Sequence, residues 1–183
     1  MEKYSLVSTK IISQNPYWSY KLDKYVLPDL SEGDYHYVET PGSVMVIPKT
    51  NDDKFIMVKQ FRYLNQKVSI EFPGGGIKPQ IGELQSAINE LSEEAGISSN
   101  SITKVGEFNP FNGVTNEICN VYLAQELQFH HANPDNSEEF DIVRLDAEQI
   151  NELIKTNEIW DGMTLASWSF YYFNILWSKQ NDI

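Results

Sequence analysis

The side chains best suited to chemistry in this chain are a set of glutamates that follow a run of glycines. Residues 71–97 read EFPGGGIKPQIGELQSAINELSEEAGI. At roughly 100° per residue, Glu83, Glu90 and Glu94 fall on one stripe of a helix, with Glu93 further round. No lysine or arginine lies between 79 and 103 to offset them. Like charges one turn apart destabilise a helix. A hard divalent cation, which takes carboxylate, carbonyl and phosphate oxygens, would relieve the repulsion. Removing one of these charges without metal is therefore expected to leave stability unchanged or slightly higher. The bland alternative is a solvated acidic face, which the preceding Gly74, Gly75 and Gly76 argue against. Glycines after Pro73 permit positive φ and let a backbone approach a ligand closely.

The elements that must position these groups follow from patterning. Leu84, Ala87, Ile88, Leu91 and Ala95 recur at helical spacing, and Gly96 is a natural stop, so a helix is expected over 83–95. Two more are expected over 147–156, where Asp146 and Gln149 form a capping-box pattern, and over 163–178, which is apolar nearly all round. Alternating aromatic and polar residues at 17–27 and 34–39, joined by LPDLSEG, read as an antiparallel hairpin. Further strands are expected at 43–49, 54–61, 68–72, 102–108, 118–124 and 140–145. A strand-rich chain with few helices suggests a mixed sheet between helices.

Composition narrows the function classes. The 183 residues are 41% hydrophobic and 13% aromatic, enough for a real core. A formal net charge of −12 disfavours a nucleic-acid duplex as partner. The single cysteine, Cys119, sits in an apolar run and reads as a small buried hydrophobe, so no disulfide framework exists within the chain. Neither a signal peptide nor a membrane span is evident, which makes a reducing cytoplasm the expected compartment.

The stretch 71–97 resembles the Nudix box, G-x5-E-x7-R-E-U-x-E-E-x-G-U, with Gly75 as the first glycine. Glu90, Leu91, Glu93, Glu94, Gly96 and Ile97 match its distal half. Ile81 and Asn89 stand where the pattern has glutamate and arginine; their joint replacement suggests that a structural ion pair has been exchanged as a unit. VKQFRY (58–63) before EFPGGG, and NPFNGVTNE (109–117) before an apolar strand, are similar to the ADP-ribose pyrophosphatase branch of that family.

The resemblance implies an α+β fold: an α/β/α sandwich with a mixed central sheet over 41–183, preceded by a hairpin and dimerisation region over 1–40. It implies attack of water on the diphosphate of a nucleoside diphosphate derivative, assisted by Mg²⁺ or Mn²⁺. Glu90 and Glu94 would be the main metal ligands, Glu93 a further one, and the Gly74 carbonyl would complete the shell. Arg62 would contact the substrate diphosphate, for which its fork is well shaped. Gly75 and Glu117 would line the substrate loop side, and Glu138 or Glu139 would be the mobile base. Trp18, Tyr35 and Tyr37 would stack on the base, partly across a homodimer. Three activities stay open: ADP-ribose hydrolysis, nucleoside diphosphate sugar hydrolysis (GDP-mannose or ADP-glucose type), and non-catalytic sensing of ADP-ribose on the same fold.

Overall fold

The computed structural model describes residues 4–130 and 141–176. The chain divides into two compact units, residues 1–42 with 109–118, and residues 43–108 with 119–183.

The first unit is a three-stranded antiparallel sheet in the order β1-β2-β3. The expected hairpin is present as β2 (Ser19–Val26) and β3 (Glu32–Glu39), with Ser19 opposite Glu39 and Val26 opposite Glu32. A strand that patterning did not reveal, β1 (Ser5–Gln14), lies along the outer side of β2. All ten of its residues are exposed, so no buried face imposes an alternating pattern on SLVSTKIISQ. The segment 109–118 belongs to this unit through hydrogen bonds to β3 and the residue after it. The Val38 amide donates to the Val114 carbonyl at 2.8 Å, and the Thr40 amide to the Asn116 side chain at 2.9 Å.

The second unit is built on two sheets. One has the order β7-β4-β9-β8, from β4 (Ser43–Pro48), β7 (Gly74–Gly76), β8 (Ile97–Phe108) and β9 (Cys119–Phe129). Its β4 and β9 run parallel, Ser43 beside Cys119, while the other pairs are antiparallel, so this sheet is mixed as expected. The other is antiparallel, in the order β10-β5-β6, from β5 (Phe55–Arg62), β6 (Lys67–Glu71) and β10 (Asp141–Leu145).

Among the described residues, α1 (Gly82–Ala95) and α2 (Ala147–Lys155) follow the expectations closely, and α3 (Gly162–Tyr171) starts where expected. The α2 capping box forms, with the Asp146 carboxylate accepting from the Gln149 amide and the Gln149 side chain accepting from the Asp146 amide. The last helix is shorter than its apolar run. The Asp161 side chain accepts from the Thr164 amide and fixes its start, and beyond Tyr171 the backbone widens into a π-helical turn, Tyr172–Leu176, where Asn174 donates to the Val105 carbonyl.

Alternation along the strands shows the layering. On β4, Met45 and Ile47 enter one core with Trp168 and Tyr171 of α3 and Ile150 of α2. Val44 and Val46 enter a second core with Ala87, Leu91 and Ala95 of α1. The sheet therefore has α1 on one face and α2 and α3 on the other. Fully burying a leucine contributes about 1.5–3 kcal/mol, so Leu91, at 0% exposure, is the main anchor of α1, with Ala87 and Ala95 in the same core. Gly96, at φ +62°, ends α1 in the left-handed conformation and leads straight into Ile97 of β8.

Candidate active site

The three glycines do not act as expected. They form β7, paired antiparallel with β4, with Gly74 opposite Met45 and Gly75 opposite Val44. None of the three has positive φ. Their smallness serves close approach. A Cβ on Gly74 would lie 2.4 Å from the Val44 carbonyl oxygen, and one on Gly75 would lie 2.6–2.8 Å from the Glu90 carboxyl group. Gly75 is thus the floor under Glu90.

One turn on, Glu94 is buried, at 5% exposure, and accepts the Gly74 amide at 3.0 Å. The Nudix-pattern glutamates Glu90 and Glu94 are therefore both held against β7 by α1. The other two acids of the helix each lie near a lysine. Glu93 is 3.8 Å from Lys78. Glu83 is 3.9 Å from Lys104 and hydrogen-bonded to Tyr122, whose phenol burial pushes up to about 12, with the Glu83 charge and hydrogen bond adding. The expectation of an unrelieved stripe that includes Glu83 is thus corrected, because its cation is Lys104 of β8, on a different element. Ile81 precedes the first turn of α1 and makes no side-chain capping bond, and Asn89 accepts from Gln85 at 2.9 Å. With about 1.5 Å of rise per residue, eight residues set these two positions about 12 Å apart along the axis.

Arg62, at the end of β5, is tied to Glu71 of β6. Its Nε donates to Oε1 at 2.8 Å and its Nη2 to Oε2. Glu71 is 3% exposed and also accepts from Gln60 at 3.3 Å. The hydrogen bond it donates to Glu71 holds the guanidinium above its already high range, against burial, and the charges of Glu71, Asp161 and Glu94 add to this. Glu71, Gln60 and Asp161 were missed from sequence. The available signal was Glu71 itself, an acid between Ile70 and Phe72 in an apolar strand, where a buried charge needs a partner. On the same face as Glu71, the Ser69 hydroxyl is the one buried side-chain polar atom among the described residues without a hydrogen-bond partner.

The remaining candidates lie in the first unit or outside the description. Tyr35 and Tyr37 share one face of β3, ring centroids 6.5 Å apart. The Tyr35 hydroxyl donates to the Gly113 carbonyl at 3.2 Å and that of Tyr37 to Asp23 at 3.4 Å. Trp18 sits in the turn between β1 and β2, its amide bonded to the Asn15 side chain. Glu117 is half-buried, and its amide donates to Thr115. Glu138 and Glu139 lie outside the described residues.

Residues 39–166 match the NUDIX domain. The chain belongs to the Nudix family. It is 31% identical over 162 residues to the ADP-ribose pyrophosphatase of Bacillus subtilis (strain 168), covering 85% of this chain and 88% of the relative. It is 29% identical over 149 residues to the methanol dehydrogenase activator of Bacillus methanolicus, covering 80% of each. Its fold matches a crystal structure of an ADP compounds hydrolase with a TM-score of 0.83 over 99% of this chain and 97% of that one, at 17% identity. This Nudix hydrolase accordingly has the expected α+β fold with a mixed sheet and an antiparallel hairpin sheet.

Nudix hydrolases generally require a divalent cation. Among the described residues no group of three or more His, Cys, Asp or Glu side chains converges enough to hold one. The donor chemistry still fits a hard ion. Glu90 and Glu94 offer carboxylate oxygens one turn apart, and an ion such as Mg²⁺ is usually held by one or two carboxylates together with substrate phosphates. No described helix is long and apolar enough to cross a membrane.

Proposed function

We propose that this Nudix hydrolase cleaves ADP-ribose to AMP and ribose 5-phosphate, with Mg²⁺ or Mn²⁺ as its cation, as a homodimer in the cytoplasm. The observation that carries the reading is the seating of Glu90 over Gly75 beside the buried Glu94, in a chain whose 31%-identical relative is an ADP-ribose pyrophosphatase. When bound, the cation neutralises phosphate oxygens and acidifies a water. Glu90 and Glu94 hold it, with Glu93 and the Gly74 carbonyl as further donors, and Arg62 takes the diphosphate. The first-unit residues Trp18, Tyr35, Tyr37 and Glu117 serve substrate recognition, the aromatics by stacking. Glu138 or Glu139 supplies the base.

The test is a panel of ADP-ribose, ADP-glucose and GDP-mannose with Mg²⁺, with Mn²⁺ and with excess chelator, scored for released phosphomonoester. ADP-ribose should give the highest kcat/KM, and chelator should abolish turnover. Preference for a nucleotide sugar would replace the substrate assignment; binding of ADP-ribose without turnover would return the sensor reading. The dimer rests on β1, an exposed edge strand carrying Leu6, Val7, Ile11 and Ile12, a surface that a monomer rarely leaves uncovered. Light scattering at micromolar concentration should give twice 21.1 kDa, and a monomer with full activity would refute it.

A further inference from the structure

We propose that Glu71 is a positioning residue that clamps one edge of the Arg62 guanidinium and thereby aims its other edge at the substrate diphosphate. This rests on the assignment of Arg62 to the diphosphate in the preceding section.

The register shows that the contact is not the default one. Arg62 is directly opposite Lys67, Gln60 opposite Ser69, and Val58 opposite Glu71. Two cations facing each other at a hairpin end repel, and here they part. Lys67 places its ammonium 5.1 Å from the centre of the Trp160 ring. Arg62 turns back along the strand, over the Gln60–Ser69 pair, to reach Glu71. Holding a long side chain folded along a strand costs rotamer entropy. The two-pronged bond to a buried carboxylate offsets that cost, because such charge-assisted pairs are the strong ones.

Glu71 in turn has little choice of partner. It is shut from water, and its oxygens are met by Nε and Nη2 of Arg62 and by Nε2 of Gln60. The bond to Glu71 takes the Nε/Nη2 edge of the guanidinium. The Nη1/Nη2 edge is not spent on Glu71, and the Arg62 side chain is 46% exposed. That second edge is a planar fork of the kind that matches two phosphate oxygens. The charge of Glu94 acts on the same guanidinium, so the fork lies within electrostatic reach of the carboxylate that grips β7. A purely structural ion pair would explain the burial of Glu71 but would place no demand on ligand affinity.

The experiment measures the affinity of ADP and of inorganic pyrophosphate, each with Mg²⁺, by calorimetry, beside KM and kcat on ADP-ribose. The proteins are the wild type, Glu71→Gln, Arg62→Ala, the double variant and Arg62→Lys. Glu71→Gln should weaken both ligands about tenfold and raise KM in step, with kcat changed far less, as expected when orientation of a binding group is lost. In the Arg62→Ala background the same substitution should add less than about twofold, because the two residues act as one unit. Arg62→Lys, which keeps the charge and loses the fork, should bind as weakly as Arg62→Ala; it also decides the matter should Glu71→Gln fail to fold. Wild-type affinity in Glu71→Gln or Arg62→Lys, an undiminished Glu71 effect without Arg62, or no binding of either ligand by the wild type overturns the proposal. Because ADP binding needs no turnover, the clamp can stand even where the panel rejects ADP-ribose as substrate.

Discussion

Glu90→Gln is expected to lower kcat by about two to four orders of magnitude, a loss of several kcal/mol of transition-state stabilisation. Glutamine keeps the size of the side chain and removes the charge that a hard cation requires. The fold should survive, because the apolar stripe of α1, not Glu90, anchors the helix to the sheet. Circular dichroism and a melting curve would show this beside the kinetics, and a variant with near wild-type kcat would remove Glu90 from the proposed metal set. Glu94→Gln should be similarly slow but should behave differently in the melt. Its carboxylate is buried and receives the Gly74 amide, so losing the charge weakens a charge-assisted bond, at a cost of about 1 kcal/mol. For Glu94 the gain expected from relieving repulsion on an open stripe does not apply.

Gly75→Ala should have the next largest effect. The added methyl would sit 2.6–2.8 Å from the three carboxyl atoms of Glu90, closer than atoms tolerate. One side must move. β7 is hydrogen-bonded to β4, whose residues Ser43–Pro48 are all buried, so the strand is the stiffer partner and the carboxylate should swing away. A catalytic group displaced by an ångström or so costs on the order of 10²-fold in rate. Gly76→Ala is the built-in control, since a Cβ there meets nothing within 4 Å. Both variants should melt near the wild type, only the first should be slow, and a Gly75→Ala protein with wild-type kcat would show that Glu90 need not stay where it is seated.

These two cases show what was legible in the sequence and what was not. The spacing of Ala87, Leu91 and Ala95 with Gly96 marked α1 to within a residue or two, because these three line one buried face and period 3.6 records it, whereas Leu84 is exposed. β4 and the first half of β5 were readable for a different reason, as short continuous apolar runs buried on both faces. What failed had no side-chain record. Gly74, Gly75 and Gly76 carry no pattern, and their extended pairing with β4 replaces the positive-φ turn that glycine suggested. β1 is exposed throughout, so nothing selects its alternation. In the site, Glu90 and Glu94 were visible because their spacing is local. The Arg62–Glu71 clamp and the Lys104–Glu83 contact join residues on different elements, and a linear sequence does not show which partners a sheet brings together. The roles assigned to Glu138 and Glu139 concern residues outside the described structure.

The parallel pairing of β4 with β9 also governs how the molecule is assembled in time. Ser43 meets Cys119 and Pro48 meets Ala124, so the strand beneath Glu90's glycine floor has its other neighbour more than seventy residues downstream. Contacts of such sequence separation must meet the loop-closure entropy before they return anything, and they slow folding. As the chain leaves the ribosome, α1 and its glutamates emerge well before β9 exists. Until residue 124 is out, β4 lacks its parallel neighbour, and the α1 core lacks Tyr122 and Ala124. Nascent chains stalled short of that point should be cut readily by protease within 43–95, and chains stalled well beyond it should resist; equal resistance would mean that α1 docks without β9.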